Sequence, residues 1–425
     1  MLATLLRALY IVVAWLLAPI VILHLLWRSL GNPDYRRRIG ERFGFFPKQA
    51  LHDTIWLHVV SVGEAQAAER LVRVLLEQYP DRSILVTTTT PTGSDRVKAL
   101  FGDRVAHCYV PFDMIGPVGS FFRWCKPAIA IILETELWPN LYNACGKRNV
   151  PLVLASARVS AHSVGRYRQF VSLFKETLSH GIVIAAQTQP DAERFVSIGA
   201  SAKRTHVTGN IKFDFALPDG VVELGQQFRA VHAPDRPVWI AASTHANEEE
   251  IAIAAHMQVR KDYPDALLLL VPRHPERFDS IATLLDRQGI GFVRRSTGTT
   301  CGNECSVVLG DTMGELTTFY AAADVAFVGG SLVKIGGHNL LEPAALKLPL
   351  ITGPHTYNAA DIAEMFQEQG VARAVNNQME LAAAVVDLLG SSSERDRLGV
   401  AGQNLIESNR GALDRLLALL EPLLK

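Results

Sequence analysis

The chain has 425 residues, of which 48% are hydrophobic and 20% are charged, and its formal net charge is 0. One hydrophobic core seldom organises so long a chain, so two domains are expected. The balanced charge and the apolar content exclude a disordered chain and a protein directed mainly at nucleic acid. The five cysteines are irregularly spaced and form no zinc pattern, so all five are expected to be thiols in a cytosolic compartment.

The first predicted element is an apolar run over residues 8–27, which contains no Asp, Glu, Lys or Arg. About 20 such residues are enough to cross a bilayer, which predicts a membrane anchor over residues 1–30. A signal peptide would be shorter and end in a small-residue cleavage site, and a buried core helix is the other alternative. The basic residues after the run are Arg28, Arg36, Arg37, Arg38 and Arg42, against Arg7 before it. This asymmetry predicts a single pass with the body of the protein in the cytoplasm, and the arginines could also bind anionic lipids.

From residue 55 onward, short apolar runs alternate with helical segments. The predicted strands are 55–60, 84–88, 105–110, 128–133, 152–155, 182–186 and 206–208. Alternation of this kind predicts a parallel sheet with helices on both faces. Ligands of such sheets bind at the carboxyl ends of the strands, so the turns after these strands are the candidate site positions.

A Pro- and Gly-containing break over 217–220 precedes a second half with the same alternation. Its predicted strands are 238–242, 267–271, 292–294, 307–309, 325–328 and 350–352. The two halves predict two α/β domains, 31–216 and 217–425, with a cleft between them that could bind a ligand.

Four residues at strand ends of the first half could take part in catalysis. Glu64 follows the first strand on a glycine-containing turn, where it could be a general base or a carboxylate that caps a helix. Glu134 and Glu136 follow the fourth strand and could share a proton, bind a cation, orient a substrate or face solvent. Lys212 follows the last strand, where it could stabilise negative charge on a leaving phosphate or be an ordinary surface lysine.

The second half carries phosphate-binding chemistry in several turns after strands. Arg273 has the planar fork that binds phosphate through two parallel hydrogen bonds. Residues 327–345 combine two glycine turns with a helix start, at which Asn339 and Glu342 have the spacing of a capping box. Such a turn can bind an anion or be purely structural. Because these turns follow strands of one sheet, they are expected to converge, and no Walker or GxGxxG motif competes with them.

A series of motifs, in chain order, resembles the bacterial 3-deoxy-D-manno-octulosonic acid (Kdo) transferases. The motifs are SVGE (61–64), TTTTPTG (87–93), ETELWPN (134–140), GNIKFD (209–214), STH (243–245), PRHPERF (272–278), GDTMGEL (310–316) and FVGGSLVKIGGHNLLEP (327–343). The resemblance covers essentially the whole chain. It implies an α/β protein of the GT-B fold, with two Rossmann-like domains, an interdomain cleft and an N-terminal transmembrane helix.

The resemblance also implies an activity: inverting transfer of Kdo from CMP-Kdo to the lipid A precursor lipid IVA, in lipopolysaccharide biosynthesis at the inner membrane. No cofactor, metal or nucleic acid is expected. Residues 31–216 would bind the acceptor and residues 217–425 the donor. The alternatives are another GT-B enzyme that uses a UDP-sugar, such as an epimerase, and a membrane-tethered lipid- or sugar-binding protein.

The family's functional positions fall on matching motifs of this sequence. Glu64 matches the general base, and Glu134 and Lys212 match positions that stabilise the transition state. The matches to the CMP-Kdo contacts are Pro272, Arg273, Met313, Gly314, Glu315, Asn339, Leu340, Leu341 and Glu342.

Overall fold

The computed structural model describes residues 2–160, 163–165, 167, 177–178, 181–302 and 304–425. The chain forms two compact units, Met1–Phe215 with Asn409–Lys425, and Ala216–Ser408. Each unit is built on one parallel sheet of seven strands.

The strands of the first unit are β1 (Thr54–His58), β2 (Ile84–Thr88), β3 (Ala106–Tyr109), β4 (Pro127–Leu133), β5 (Leu152–Ala157), β6 (Val183–Ala186) and β7 (Thr205–Val207). They pair in the order β3-β2-β1-β4-β5-β6-β7. The α-helices whose bounds are described are Leu2–Gly31, Ile39–Arg42, Val62–Ala67, Glu69–Gln78, Pro91–Phe101, Ile115–Cys125, Pro139–Lys147, Gln189–Ser197 and Ala412–Leu424. Every residue of β1, β2 and β5 is buried, because helices cover both faces of the sheet.

The strands of the second unit are β8 (Val238–Thr244), β9 (Leu267–Pro272), β10 (Phe292–Arg294), β11 (Val307–Leu309), β12 (Val325–Val328), β13 (Leu350–Thr352) and β14 (Ala372–Ala374). They pair in the order β10-β11-β9-β8-β12-β13-β14. Its α-helices are Val221–His232, Glu248–Asp262, Phe278–Arg287, Leu316–Ala322, Leu341–Ala345, Ala360–Glu368, Gln378–Gly390 and Ser392–Asn409. The two predicted parallel sheets are confirmed, and β14 is a strand that the sequence did not predict.

The C-terminal helix, Ala412–Leu424, belongs to the first unit, although the predicted boundary of 217–425 placed it in the second. The carboxylate of Asp214 accepts hydrogen bonds from the backbone N–H groups of Gly411 and Leu413, each at 2.6 Å. The leucines of the helix then enter the core of the first sheet. At Gly209, where φ is +93°, a side chain would meet Cβ of Ala412 at 3.1 Å, so glycine permits this close approach.

Two cysteines are bonded to each other, so the prediction of five free thiols is wrong. Cys301 and Cys305 form a disulfide, with 5.4 Å between their Cα atoms. The other three cysteines, Cys108, Cys125 and Cys145, are free and buried in the first unit.

The N-terminal helix contains a segment, Leu5–Gly31, that is long and apolar enough to cross a membrane. Large apolar side chains such as Leu16, Ile20 and Leu23 are exposed along it. Tyr10 donates a hydrogen bond of 2.8 Å to the buried carboxylate of Asp113, which ties this helix to the body of the first unit. The length of the segment and its exposed apolar side chains support association with a membrane.

Candidate active site

Glu64 lies in the first turn of the helix Val62–Ala67, just after the end of β1. Its Oε2 accepts a hydrogen bond of 2.8 Å from the backbone N–H of Val60, and its Oε1 accepts one from the hydroxyl of Ser61 at 3.3 Å. The residue is only 8% exposed. Burial raises the pKa of Glu64 to about 8, and the negative charge of Glu134 adds to the rise. A carboxyl with this pKa can exchange a proton near neutral pH.

Glu134 and Lys212 form an ion pair, with 2.8 Å between Oε1 and Nζ. Glu134 follows β4 with a φ of +57°, a left-handed conformation that is costly for a residue with a side chain. Lys212 lies in the 3₁₀ turn Ile211–Asp214. The backbone N–H of Lys212 donates a hydrogen bond to the side chain of Asn210, which fixes the start of this turn. The fold therefore holds a cation beside the carboxylate that follows β4.

Glu136 has a partner of its own. Its carboxylate accepts a hydrogen bond of 2.5 Å from the indole of Trp138. Burial raises the pKa of Glu136, a change that the Trp138 hydrogen bond opposes and the charge of Glu134 reinforces. Among the described residues no hydrogen bond joins Glu134 to Glu136, so the interpretation that they share a proton is not supported.

These acids line one cavity of the first unit, with a volume of about 290 Å³. Glu64, Glu134 and Glu136 contribute to its wall together with Arg158 and Ser160. The cavity lies where neighbouring strands β1, β4 and β5 end, which is where ligands of parallel sheets bind. Arg158 and Ser160 follow the predicted strand 152–155, but the sequence did not single them out as residues of a cavity.

In the second unit, the predicted site turns follow strands that lie side by side. The turns follow β11, β9, β8 and β12, which are consecutive in the sheet. Arg273 comes directly after β9, and its backbone N–H donates to the carbonyl of Thr244 at the end of β8. Its side chain is exposed and has no hydrogen-bond partner within the described part of the chain. The predicted convergence of these turns is therefore present.

The turn after β11 is held by ion pairs. Arg295 contacts the carboxylate of Glu315 at 2.7 Å, and the hydroxyl of Thr312 also donates to that carboxylate. Burial alone would raise the pKa of Glu315, but these two donors hold it below its usual value. Met313 is exposed, and Gly314 has a φ of +87° that suits glycine. Glu315 thus stabilises the turn, while Met313 is open to a ligand.

The two glycine turns within 327–345 do not offer free N–H groups, contrary to the anion-site interpretation. The first is filled by the side chain of Glu248, which accepts hydrogen bonds from the N–H groups of Gly330, Ser331 and Leu332. In the second turn, the N–H groups of Gly336 and Gly337 both donate to the carbonyl of Gly330. Both turns are therefore structural in this conformation.

The helix after these turns is short. It spans Leu341–Ala345 and begins after Leu340 rather than after Asn339. Asn339 still caps it, because its Oδ1 accepts from the N–H of Leu341 and its amide donates to the carboxylate of Glu342. The charge of Glu342 also contributes to a raised pKa of buried Tyr320, after the larger effect of burial. Glu342 therefore lies close to the helix that follows the 313–315 turn.

Two parallel sheets of seven strands, each in its own Rossmann-like unit of one chain, define the GT-B fold. A family model described as 3-Deoxy-D-manno-octulosonic-acid transferase (kdotransferase) matches residues 37–215, and one described as Glycosyl transferases group 1 matches residues 292–405. The chain belongs to the 3-deoxy-D-manno-octulosonic acid transferase family, and the predictions of family, fold class and enzyme class are confirmed.

Relatives with this activity in their names match almost the full length. The chain is 45% identical to a 3-deoxy-D-manno-octulosonic acid transferase of Haemophilus influenzae, with 96% of each chain covered. It is 36% identical to one of Bordetella pertussis, with 95% of this chain and 96% of the relative covered.

Solved structures at low identity show the same fold. Anabaena HepE in complex with UDP matches with a TM-score of 0.54 and 15% identity, covering 87% of this chain and 99% of the other. UDP-GlcNAc 2-epimerase of Neisseria meningitidis matches with a TM-score of 0.55 and 12% identity, covering 86% and 100%. At such identity the likeness concerns the fold alone.

Proposed function

We propose that the protein transfers Kdo from CMP-Kdo to lipid IVA with inversion at the anomeric carbon. Glu64 carries the proposal: it is a buried carboxyl with a pKa raised to about 8, in a cavity it shares with Glu134. The names of the two relatives supply the sugar that is transferred. An activated donor needs a base, a group that stabilises charge and a site for its nucleotide, and the two units carry candidates for each.

The reaction begins at the acceptor hydroxyl. Ionised Glu64 takes the hydroxyl proton while the oxygen forms a bond to the anomeric carbon of Kdo. The bond from that carbon to the phosphate oxygen breaks, and CMP leaves with the electron pair. Lys212, held against Glu134 at 2.8 Å, stabilises negative charge that develops in the transition state.

The nucleotide is assigned to the second unit. The guanidinium of Arg273 binds the phosphate, since it is exposed and unused by neighbouring side chains in the described chain. The other proposed contacts are Pro272, Met313, Gly314, Glu315, Asn339, Leu340, Leu341 and Glu342. Of these, Glu315 contributes by stabilising the turn after β11. Asn339 contributes by capping the helix Leu341–Ala345.

The acceptor places the reaction at the inner membrane. The apolar segment Leu5–Gly31 anchors the chain there in a single pass. The arginines that follow it favour a cytoplasmic position for both units and an anionic lipid surface beside them.

The test is incubation of the purified full chain with CMP-Kdo and lipid IVA, followed by mass spectrometry of the lipid. Addition of Kdo to lipid IVA is the expected result. UDP-sugars serve as alternative donors, and competition by UDP stronger than that by CMP would favour a UDP-sugar enzyme. Binding of lipid IVA without transfer from any donor would favour a binding protein.

The rate of transfer should rise with pH through about 8, because only ionised Glu64 accepts a proton and its pKa is raised to about 8. Glu134→Gln removes a negative charge that raises this pKa, so the rising limb of kcat/KM should move to lower pH. Lys212→Met removes a positive charge that lowers it, and the limb should move to higher pH. Full profiles of kcat/KM against pH, each scaled to its own maximum, measure both shifts.

The control for these profiles is Glu77→Gln, which changes an exposed acid on the helix Glu69–Gln78 of the same unit. Its profile should match that of the unaltered protein. A rising limb that stays in place in both Glu134→Gln and Lys212→Met would show that it does not report on Glu64.

A further inference from the structure

Two histidines of the second unit face each other through the same ring nitrogen. The Nε2 atoms of His245 and His338 lie 2.8 Å apart, which is a hydrogen bond between the rings. The rings are nearly parallel, with 4° between their planes. His274 lies edge-on to His245, with 5.1 Å between ring centroids. No part of the proposed mechanism uses this pair.

The backbone is shaped to hold the pair. His245 follows the end of β8, two residues after Ser243, whose φ of +55° is left-handed. A side chain at Gly330 would meet Cδ2 of His338 at 2.9 Å, so the first glycine turn gives room to this ring. Glu248 fixes both sides, because it accepts from the N–H of His245 as well as from Gly330. The end of β8 and the first glycine turn therefore hold the two rings against each other.

The number of protons on the two rings determines whether their free nitrogen atoms donate or accept hydrogen bonds. When both rings are neutral, one Nε2–H donates to the other Nε2, which leaves one Nδ1 as a donor and the other as an acceptor. A proton added to the second Nδ1 makes both Nδ1 atoms donors and gives the Nε2 bond a shared positive charge. Neither Nδ1 has a hydrogen-bond partner within the described residues. Because the rings face each other through Nε2, their Nδ1 atoms point away from each other, and one phosphate can contact only one of them.

Burial, and to a smaller extent the positive charges around the pair, oppose protonation of the two rings. Burial lowers the pKa of His245 to about 4, with His274, Arg273 and Arg277 acting in the same direction. Burial lowers the pKa of His338 to about 3, with His245, Arg273 and His274 acting in the same direction.

The other charged and titratable groups near the pair have partners elsewhere or face it through their backbone. The carboxylate of Glu248 is engaged with backbone N–H groups, and that of Glu249 is paired with Arg277 at 2.8 Å. From the segment after β13, His355 presents its backbone carbonyl to Gly337. An anion at the pair would offset the surrounding positive charge, and its presence would raise both histidine pKa values.

We propose that His245 and His338 form an anion subsite that takes up one proton when it binds the phosphate of a nucleoside monophosphate. The subsite lies beside Arg273, which supplies permanent charge, whereas the pair supplies charge only when the phosphate is present. The identification of the nucleotide as CMP rests on the proposed function. Binding of the nucleotide would then be coupled to pH through these two side chains.

The test is calorimetric titration of the full chain with CMP in two buffers of different ionisation enthalpy, at a pH where free CMP is mainly a dianion. Uptake approaching one proton per CMP is expected, and the affinity should fall towards about tenfold per pH unit above neutral pH. His245→Gln and His338→Gln should each abolish the uptake and flatten this slope, because Gln cannot be protonated. His52→Gln, which changes an exposed histidine of the first unit, should leave both unchanged.

Two further ligands identify the group that the pair binds. Cytidine, which lacks the phosphate, should bind without proton uptake, and so should free Kdo, which carries a carboxylate. Uptake with Kdo but not with CMP would overturn the phosphate assignment in favour of the sugar carboxylate. Binding of CMP without uptake, or uptake that persists in both Gln variants, would overturn the subsite and leave the proposed function standing. Absence of CMP binding together with absence of transfer would instead remove the proposed function itself.

Discussion

Replacing Glu64 with Gln is expected to lower kcat for Kdo transfer by about 10²–10⁴-fold, the usual contribution of a positioned general base. Gln cannot accept the proton of the acceptor hydroxyl. It does keep the size of the side chain and an oxygen that can accept from the N–H of Val60. Because the pKa of Glu64 is raised to about 8, Gln also resembles the protonated form present at neutral pH, so the fold should be little disturbed.

The measurement is single-turnover transfer at saturating donor and acceptor, together with CMP binding to each variant. CMP affinity should not change, since its proposed contacts lie in the second unit. Glu69→Gln is the matched control: Glu69 begins the next helix, where it pairs with Arg73 at 2.7 Å. If Glu64→Gln retains kcat within a few-fold of the unaltered protein while Glu69→Gln behaves as expected, another group must be the base.

The strands could be predicted from the sequence where they are buried on both faces. Residues 307–309, 325–328 and 350–352 are all buried and were predicted with the bounds that the structure shows. Residues 292–294 were predicted with the same precision although they are half-buried at a sheet edge, because Phe292 and Val293 favour strands. Most of these runs are apolar and end at glycine or polar residues, which is typical of strands in the middle of a parallel sheet. β14, at the other edge, was not predicted because its sequence Ala-Arg-Ala contains no residue that favours strands. Arg373 there pairs with Asp387 and Glu394, residues that are distant in sequence.

The placement of the last helix could not be predicted, although its apolar stripe could. Leu413, Leu416, Leu420 and Leu424 define one face of a helix, and either sheet could have been covered by it. The helix packs on the first sheet because the carboxylate of Asp214 binds its start, about two hundred residues further along the chain. Contacts over such a separation leave no local pattern in the sequence.

The candidate site was predictable in position but not in its interactions. Glu64, Glu134 and Lys212 stand out because each follows a predicted strand. The raised pKa of Glu64 and the contact of Lys212 with Glu134 depend on how neighbouring strands meet. The three consecutive acids from Glu248 to Glu250 resemble a helix start that complements the dipole. Only the fold shows that Glu248 turns away from solvent and into the glycine turn after β12.

Replacing Glu248 with Gln is expected to lower the free energy of unfolding of the protein by about 2–6 kcal/mol, taking 1–3 kcal/mol for each of two buried N–H groups that lose their acceptor. The carboxylate accepts from four backbone N–H groups: Gly330 and His245 at Oε2, and Ser331 and Leu332 at Oε1. The amide of Gln has a single oxygen, so its NH₂ group would face two of these donors. Glu248 is 0% exposed, and water cannot replace the lost acceptor.

Amide hydrogen exchange shows which part of the chain is destabilised in Glu248→Gln. In Glu248→Gln the amides of residues 330–332 should exchange faster, with a lower thermal midpoint for the whole chain, whereas Glu250→Gln, an exposed neighbour on the same helix, should change neither. Burial raises the pKa of Glu248, and the backbone N–H groups oppose that rise. If Glu248 were buried in its protonated form, Gln would imitate it and both readouts would stay unchanged. Faster exchange confined to residues 330–332 would instead show that the charged carboxylate stabilises the first glycine turn. That turn also leaves space for the ring of His338 beside His245.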